Sequence, residues 1–368
     1  MLQRAPASGR SRPTRQIAEG DRSQRARASI VVLLGLLCAT FLFSLATGAS
    51  DASALAVVKS WIAPFLGIEP ELSQRDHIII NDIRLPRAAM GILVGAGLAV
   101  CGAVMQGLFR NPLADPGIVG VSSGAALGAV SMIVLGPTIL APLATLAGIY
   151  ALPLAAFVGG LLTTLLLYRV STRHGMTSVA TMLLAGIALA ALAGAATGIL
   201  IFLADDQQLR DLTFWSLGSL AGANWTKVFA AGPIILVILV VSPLLASGLN
   251  AMTLGEAAAR HMGLSVQRFK VMAIIFVAAA TGAAVAVSGI IGFVGIVVPH
   301  LLRLLIGPDH RFLLPASALL GASMLLAADA AARTIVAPAE LPIGIITALV
   351  GSPFFLWILL NRRGVLDL

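Results

Sequence analysis

The chain has 368 residues, of which 58% are hydrophobic and only 11% are charged. Soluble domains usually carry about 25% charged residues, so this composition excludes an ordinary water-soluble globular protein. Uncharged apolar runs recur from about residue 28 to residue 360, and runs of about 18 or more apolar residues are long enough to cross a bilayer as helices. Because lipid forces each span to satisfy its own backbone hydrogen bonds, the predicted fold class is an all-α polytopic membrane protein.

The formal net charge of +8 is concentrated before the first apolar run. Residues 1–28 are polar and poor in aromatic side chains, which is typical of disorder. An arginine run can bind nucleic acid, but beside a membrane span it more often faces anionic lipid. We therefore expect a basic cytoplasmic tail, membrane lipid as its partner and no nucleic-acid partner. The arginines of this segment are Arg4, Arg10, Arg12, Arg15, Arg22, Arg25 and Arg27.

The apolar runs predict about ten transmembrane helices within residues 29–361. The stretch 52–66 is too short to span and is expected to lie along the interface. The eighth run contains Pro299, which predicts a discontinuous helix packed inside the protein. Cys38 and Cys101 lie within apolar runs and indicate two buried side chains rather than a disulfide or a metal site. The predicted spans are 29–48, 86–109, 117–136, 143–168, 178–203, 225–247, 268–289, 293–306, 313–332 and 342–360.

Small residues and loop charges describe how the spans pack and which way they run. Gly91, Gly95 and Gly102 fall on or near the spacing that lets two helix backbones approach closely. Most lysines and arginines of the loops fall on the side that also holds the N-terminus. By the positive-inside rule, both termini are expected in the cytoplasm, including a C-terminal segment at 362–368.

A polar break at 110–116, RNPLADP, separates the second and third spans. Pro112 and Pro116 end helices, and Asn111 and Asp115 can cap the next helix or hydrogen-bond the turn. On physical grounds alone, this pattern favours an ordinary tight loop over a functional one.

The segment 250–266, NAMTLGEAAARHMGLSV, is the longest polar stretch between the central spans. Its middle, from Glu256 to His261, favours a helix, and Gly255 and Gly263 punctuate it. Such a helix is either a docking knob for a soluble partner or a solvated loop. The sequence contains no GxxxxGK[ST] motif, so we expect any ATP hydrolysis to come from another chain.

Charged groups inside the later spans are candidates for function. His300 is expected to be a packed, hydrogen-bonded residue rather than a ligand or a proton relay. Asp329 is an acid deep in a span, which marks a functional candidate by default. Because Arg333 follows one helical turn later, we expect a structural ion pair near the outer boundary rather than a proton site.

Six segments, in this order along the chain, resemble the FecCD family, the permeases of bacterial ABC importers for iron-siderophores, haem and cobalamin. The resemblance covers nearly the whole chain from about residue 30. The segments are RLPR (84–87), GAVMQGLFRNPLADPGIVGVSSGAALG (102–128), FWSLGSL (214–220), LGEAAARHMGL (254–264), GFVGIVVPHLLRL (292–304) and AELPIGIITALVGSPFFLWIL (339–359).

The resemblance implies a cobalamin-permease-like fold, that of type II ABC importers, in the bacterial inner membrane. It implies a homodimer with the translocation path between the copies, two ATPase subunits and a periplasmic substrate-binding protein. The permease would not be an enzyme and would bind no cofactor, because the ATPase subunits use Mg-ATP.

The resemblance also places roles on residues of this chain. The binding protein is expected to dock on Arg84, Arg87 and Arg333. The ATPase-coupling segment is expected at Leu254, Gly255, Glu256, Ala257, Arg260, His261 and Gly263. The cytoplasmic gate is expected at Asn111, Leu113, Thr177 and Ser178.

The predicted cargo is haem, because the exit of the fifth span, ADDQQLRDLTFWSLGSL, resembles the haem-importing branch. Arg210 could attract the haem propionates by charge-assisted hydrogen bonds. Ferric siderophores and cobalamin remain alternatives, since a related arginine occurs in cobalamin permeases. An ion-coupled secondary transporter is a further alternative, but only Asp329 and His300 come near the mid-membrane titratable groups it needs. An intramembrane enzyme is disfavoured, because HExxH and paired intramembrane aspartates are missing.

Overall fold

The computed structural model describes residues 22–48, 73–173, 176–337 and 339–361. The predicted interfacial stretch 52–66, the C-terminal segment 362–368 and most of the predicted tail lie outside them. The helices are α1 (Ser23–Ala46), α2 (Gln74–Ile78), α3 (Leu85–Phe109), α4 (Val121–Leu135), α5 (Ala141–Ala147), α6 (Ala151–Ser171), α7 (Val179–Leu203), α8 (Asp206–Ser216), α9 (Trp225–Val241), α10 (Ala246–Thr253), α11 (Glu256–His261), α12 (Val266–Ser288), α13 (Val294–Ile306), α14 (His310–Thr334) and α15 (Ile343–Asn361).

Short irregular elements join these helices. A π-helical turn, Ile79–Arg84, connects α2 to α3 without a break. Single 3₁₀ turns follow α3, α5 and α9. A two-residue strand, β1 (Thr172–Arg173), pairs antiparallel with β2 (Met176–Thr177) after α6. The 3₁₀ turns are Pro116–Val119, Gly148–Tyr150 and Ser242–Leu245.

The number of long or apolar helices agrees with the sequence pattern. Among the described residues, 7 helical segments are long and apolar enough to span a membrane. The shorter apolar helices Val121–Leu135, Val294–Ile306 and Ile343–Trp357 complete the ten runs predicted from hydropathy. The predicted all-α polytopic fold is therefore confirmed.

Helix α3 forms the centre of the bundle and is buried along most of its length. It packs against α9, α12, α13 and α14, and glycines bring the backbones together. A Cβ placed on Gly95 would lie 2.4 Å from the Gly321 carbonyl oxygen of α14. One placed on Gly102 would lie 1.8 Å from the Gly295 oxygen of α13. These contacts confirm that the glycines of α3 serve close helix packing, which replaces the hydrophobic effect between helices in lipid.

Helices α1, α6 and α7 lie outside this centre and expose many large apolar side chains. Val31, Leu162, Leu184 and Phe202 are examples. Since a water-facing surface rarely exposes so much apolar area, these faces are suited to lipid or to another copy of the chain.

The expected break at Pro299 is wrong, because α13 runs continuously through it. Proline lacks an N–H, so the Gly295 carbonyl four residues earlier loses its helical donor. The amide of Gln106 on α3 replaces it, donating from Nε2 to Gly295 O and to Ile296 O at 3.3 Å each. A side chain from a neighbouring helix thus satisfies the backbone that proline frees.

Two smaller expectations also differ from the structure. Helix α1 begins at Ser23, inside the segment predicted as a disordered tail. Arg25 and Arg27 therefore belong to its first turns, where arginine is a good helix former. Cys38 lies exposed on the surface of α1, whereas Cys101 is buried as expected.

Candidate functional site

A buried arginine cluster joins α3, α14 and the end of α1. We define it as Arg84, Arg87 and Arg333 with the acids Asp329 and Glu340. Arg87 donates from Nη2 and Nε to Asp329 Oδ1 at 2.8 and 2.9 Å, and from Nη1 to Glu340 Oε2 at 2.9 Å. Arg333 Nε lies 3.1 Å from the other oxygen of Asp329. The carboxylate of Asp329 is therefore shared by two guanidinium groups in the protein interior.

The other two arginines of the cluster close the C-terminal end of α1. Arg84 Nη1 donates to Leu45 O at 2.7 Å. Arg333 Nη1 donates to Thr47 O at 2.8 Å, and its Nη2 to Ser44 O at 3.1 Å. The last carbonyls of a helix have no intrahelical partner and carry the negative end of the helix dipole. Two cations at this point therefore hold α1 against α3 and α14.

The π-helical turn sets the position of Arg84. A π turn inserts an extra residue into a helix and is often found at functional positions. The wide turn leaves Asn81 O free to accept from Trp225 Nε1 at 2.8 Å, which ties the start of α9 to this end of α3.

The expected pair of Asp329 with Arg333 is present, but the sequence did not reveal Arg87 as a second partner, nor Glu340. Those contacts span 242 and 253 residues, so no local spacing signals them. The proposed docking role of Arg84, Arg87 and Arg333 stays a prediction. In this structure all three side chains are buried and hydrogen-bonded within the chain.

Helix α11 forms a short projection at the opposite end of the bundle, which we call the α11 end. Gly255 and Gly263 flank it with φ values of 99° and 86°, a backbone region that favours glycine. This arrangement confirms the helix and the glycine punctuation expected from the sequence.

An ion pair fixes α11 to the bundle. Glu256 Oε1 lies 2.6 Å from Lys270 Nζ of α12, and the Lys270 side chain is only 2% exposed. Arg260 contributes a looser contact to Glu256 at 3.8 Å. Since Ala259 is fully buried while Leu254, Ala257, Arg260 and His261 are exposed, α11 is anchored on one side and presents the other outward. Lys270 is a contact that the sequence did not indicate as part of this site.

A second connection at the α11 end links α10 to α14 through Asn250. Its Nδ2 donates to Asp309 Oδ1 at 2.7 Å, and its Oδ1 accepts from the His310 backbone N–H at 2.9 Å. Asp309 also caps α14 by accepting from Arg311 N at 3.0 Å. The Gly-Pro-Asp sequence before an apolar run is an N-cap signal that could have identified Asp309.

The residues expected at the gate lie in the turn after α3 and at the end of β2, directly before α7. Asn111 Oδ1 accepts from Leu113 N at 2.9 Å, and Asp115 Oδ1 accepts from Gly117 N at 2.7 Å. Ser178 caps α7 by accepting from Thr181 N at 3.3 Å. Thr177 ends β2 directly before it, and α7 packs against the 3₁₀ turn Pro116–Val119. Burial raises the pKa of the Asp115 carboxyl above its ordinary value.

Arg210 lies exposed on α8. That helix begins with a capping box between Asp205 and Gln208, which fixes where it starts. No ion pair involving Arg210 is found among the described residues. The structure thus presents it as an accessible cation at the end of the bundle opposite α11.

This bundle has the fold of a type II ABC importer permease. It is similar to the structure of a metal-chelate type ABC transporter in an inward-facing conformation, with a TM-score of 0.78 and 32% identity. The similarity covers 91% of this chain and 99% of that one. The model of the FecCD transport family matches residues 36–361, so the chain belongs to that family.

Two relatives are named for different cargoes. The chain is 50% identical to the hemin transport system permease protein HmuU of Yersinia pestis, over 78% of this chain and 84% of that protein. It is 44% identical to the cobalamin import system permease protein BtuC of Halobacterium salinarum, over 84% of this chain and 79% of that protein. The chain is therefore a membrane transport permease and not an enzyme. As an ABC importer permease it works with ATPase subunits and a substrate-binding protein.

Proposed function

We propose that the chain imports haem across a bacterial inner membrane, paired with a second copy of itself. The choice of haem as cargo rests on the 50% identity of this chain with a hemin permease, against 44% with a cobalamin permease. The exposed cation Arg210 supports this cargo, because haem brings two carboxylates to a surface and charge-assisted hydrogen bonds to arginine are strong.

The α11 end is proposed to face the cytoplasm, with both termini on that side. Two ATPase subunits dock there on the face formed by Leu254, Ala257, Arg260 and His261. The Glu256–Lys270 pair transmits their movement into α12, because it is a short contact to a buried cation. The chain itself binds no cofactor in this scheme, and the ATPase subunits use Mg-ATP. The turns at Asn111, Leu113, Thr177 and Ser178 form the cytoplasmic gate.

The arginine cluster is proposed to receive the binding protein at the outer face. Arg87 is buried, so an incoming carboxylate reaches it only by replacing one of its present partners. Asp329 is enclosed, whereas the Glu340 side chain is 38% exposed. Glu340 is therefore the partner that exchanges on docking.

Transport by the reconstituted complex tests the proposal. Vesicles containing the permease, its ATPase and its binding protein are supplied with hemin, cyanocobalamin or a ferric hydroxamate siderophore. We expect ATP-dependent accumulation of hemin, lost when the catalytic glutamate of the ATPase is substituted. Accumulation of cyanocobalamin but not of hemin would show that the cargo is cobalamin and not haem. Uptake driven by a proton gradient with no ATPase present would overturn the whole assignment.

Cobalamin is the second candidate, because several relatives named as vitamin B12 permeases are 39% to 42% identical to this chain. Titrating both cargoes against the partner binding protein separates the two candidates, since that protein selects what is delivered.

A further inference from the structure

A cavity of about 540 Å³ opens between the end of α8, the loop before α13, and α15. Its walls are mainly apolar, from Leu217, Ile290, Phe293 and Leu349, and two hydroxyls, Ser216 and Ser352, stand among them. Small-molecule sites are typically concavities of about 300–1,000 Å³ with apolar walls and a few polar groups. The cavity therefore has both the size and the lining of a ligand site.

Two glycines of α15 shape this cavity. A Cβ on Gly344 would lie 2.1 Å from the Leu217 carbonyl oxygen, and one on Gly351 would lie 2.5 Å from the Cβ of Phe293. Leu217 and Phe293 are thus held against α15 at positions seven residues, or about 10 Å, apart. Ala348 lines the cavity on the same helix face, between these two contacts. A small side chain at this point leaves the space open.

The backbone conformation of Phe293 is a second indication that this cavity is a ligand site. Phe293 adopts a φ of 68° as the N-cap of α13, a conformation that residues with a Cβ rarely take. Such outliers persist only where surrounding packing enforces them, and they cluster at ligand clamps and switches. Here the conformation places an aromatic ring in the cavity wall.

A cation lies along the same helix face that leads to the cavity. Arg210, Phe214 and Leu217 fall at i, i+4 and i+7 of α8 and its C-cap, and therefore share one face. Arg210 and Phe214 are exposed, whereas Leu217 lines the cavity. The rise from Arg210 to Leu217 is about 10 Å. A ligand with an apolar body and an anionic edge could contact both.

We infer that this cavity receives the apolar ring of a tetrapyrrole whose carboxylates are held by Arg210. The inference rests on the proposed haem cargo. The apolar walls accept the ring, Phe293 and Phe214 offer aromatic surfaces for stacking, and Arg210 supplies the complementary charge. The hydroxyls of Ser216 and Ser352 can hydrogen-bond a polar substituent of the tetrapyrrole inside the cavity.

Equilibrium binding to the assembled permease–ATPase complex in nanodiscs, without the binding protein, tests the site. Hemin and hemin dimethyl ester, which lacks the carboxylate charges, are titrated by their Soret absorbance. Ala348→Phe fills the cavity and should weaken both probes by about tenfold or more, the scale of a steric misfit in an apolar pocket. Val350→Phe is the matched control, because Val350 is 60% exposed on the same helix and does not line the cavity. Arg210→Gln should weaken hemin but not its ester, and Arg210→Lys should recover part of the loss.

Several outcomes overturn the inference. Unchanged hemin affinity in a folded Ala348→Phe complex does so, and Ser352→Phe provides an independent filling variant if Ala348→Phe fails to fold. If Arg210→Gln weakens the binding of hemin and of its dimethyl ester equally, the inferred contact between Arg210 and the carboxylates is rejected. Separation of the two permease copies by Ala348→Phe would show that a second copy occupies the cavity instead. Normal vesicle uptake of hemin by Ala348→Phe rejects the cavity and leaves the proposed function standing. If the wild-type complex takes up no hemin, the proposed function fails, and the nanodisc titration still decides the cavity.

Discussion

Arg87 of α3 and Asp329 of α14 form a buried ion pair joined by three hydrogen bonds, with Nη2 of the arginine 2.8 Å from Oδ1 of the aspartate. The pair holds the central helix to α14 at the end where α1 stops. Arg333 shares the aspartate and Arg87 also pairs with Glu340, so Asp329 is the one carboxylate among the described residues that pairs with Arg333.

Removing one partner of this pair should destabilise the protein strongly. We expect Asp329→Asn to lower the free energy of unfolding by about 3–5 kcal/mol, because it leaves the buried Arg333 without its carboxylate partner. Arg87→Gln should cost less, because Arg333 still compensates Asp329. The double variant should lose less than the sum of the two. Thermal unfolding in detergent measures these effects. Arg260→Gln, which breaks an exposed 3.8 Å pair, serves as the control and should change stability by less than about 1 kcal/mol. Strict additivity of the two losses would contradict the pairing.

Glu340→Gln tests the exchange of partners at the arginine cluster. The substitution keeps the shape of the side chain but weakens its hold on Arg87 Nη1. We therefore expect the loaded binding protein to dock a few-fold more tightly, measured by surface plasmon resonance on the nanodisc complex. The Arg84→Glu and Arg87→Glu pair is a less direct test, because both side chains are buried and the variant is expected to misfold. Unaltered or weaker docking of Glu340→Gln would count against the exchange.

Gln106 and Pro299 should show a strong energetic coupling. Gln106→Leu removes the donor to Gly295 O and should cost about 1–3 kcal/mol, the penalty of leaving a buried carbonyl unsatisfied. In a Pro299→Ala background the restored N–H can serve that carbonyl within the helix, so the same change should cost less. The free energies of unfolding of the wild type, the two single variants and the double variant give the coupling energy. The same loss from Gln106→Leu in both backgrounds would reject this account of the continuous α13.

The Glu256–Lys270 contact should couple ATP hydrolysis to transport. Lys270→Gln removes the buried charge that anchors α11, so cargo moved per ATP should fall severalfold while the ATPase subunits still hydrolyse ATP. Arg268→Gln is the matched control, since Arg268 is exposed on the same helix. Uptake and hydrolysis are measured in the same vesicles. Normal coupling in a folded Lys270→Gln complex would show that the pair is only structural.

Asp115 predicts a pH dependence with a definite sign. Its pKa is raised by burial, so the folded state binds its proton more tightly than the unfolded state does. The contribution of Asp115 to stability is therefore fully present below the ordinary aspartate pKa and is lost as pH rises through its raised pKa. Asp115→Asn retains an oxygen for Gly117 N and should flatten this part of the profile. A profile identical to that of the wild type would exclude Asp115 as its source.

The helices of this protein were predictable because each depends on a local pattern. Hydropathy located the ten runs, the glycines at 255 and 263 bounded α11, and the four-residue spacing indicated the Asp329–Arg333 pair. The contacts that the sequence did not reveal join distant segments. Pro299 gives no sign that an amide on α3 will repair its helix, and Arg87 gives no sign of its two acidic partners. Likewise, the cavity arises from three separate segments and no single one of them indicates it.

The end of α1 is held by side chains that lie far apart along the chain. Arg84 arrives soon after α1 is synthesised, but Arg333 is made only when the ribosome has completed nearly the whole protein. Domains fold progressively during synthesis. We therefore expect α1 to enter the membrane first but to reach its final packed position only after α14 has been synthesised. A nascent chain stalled before α14 should consequently leave α1 open to proteolysis or to cross-linking with the insertion machinery.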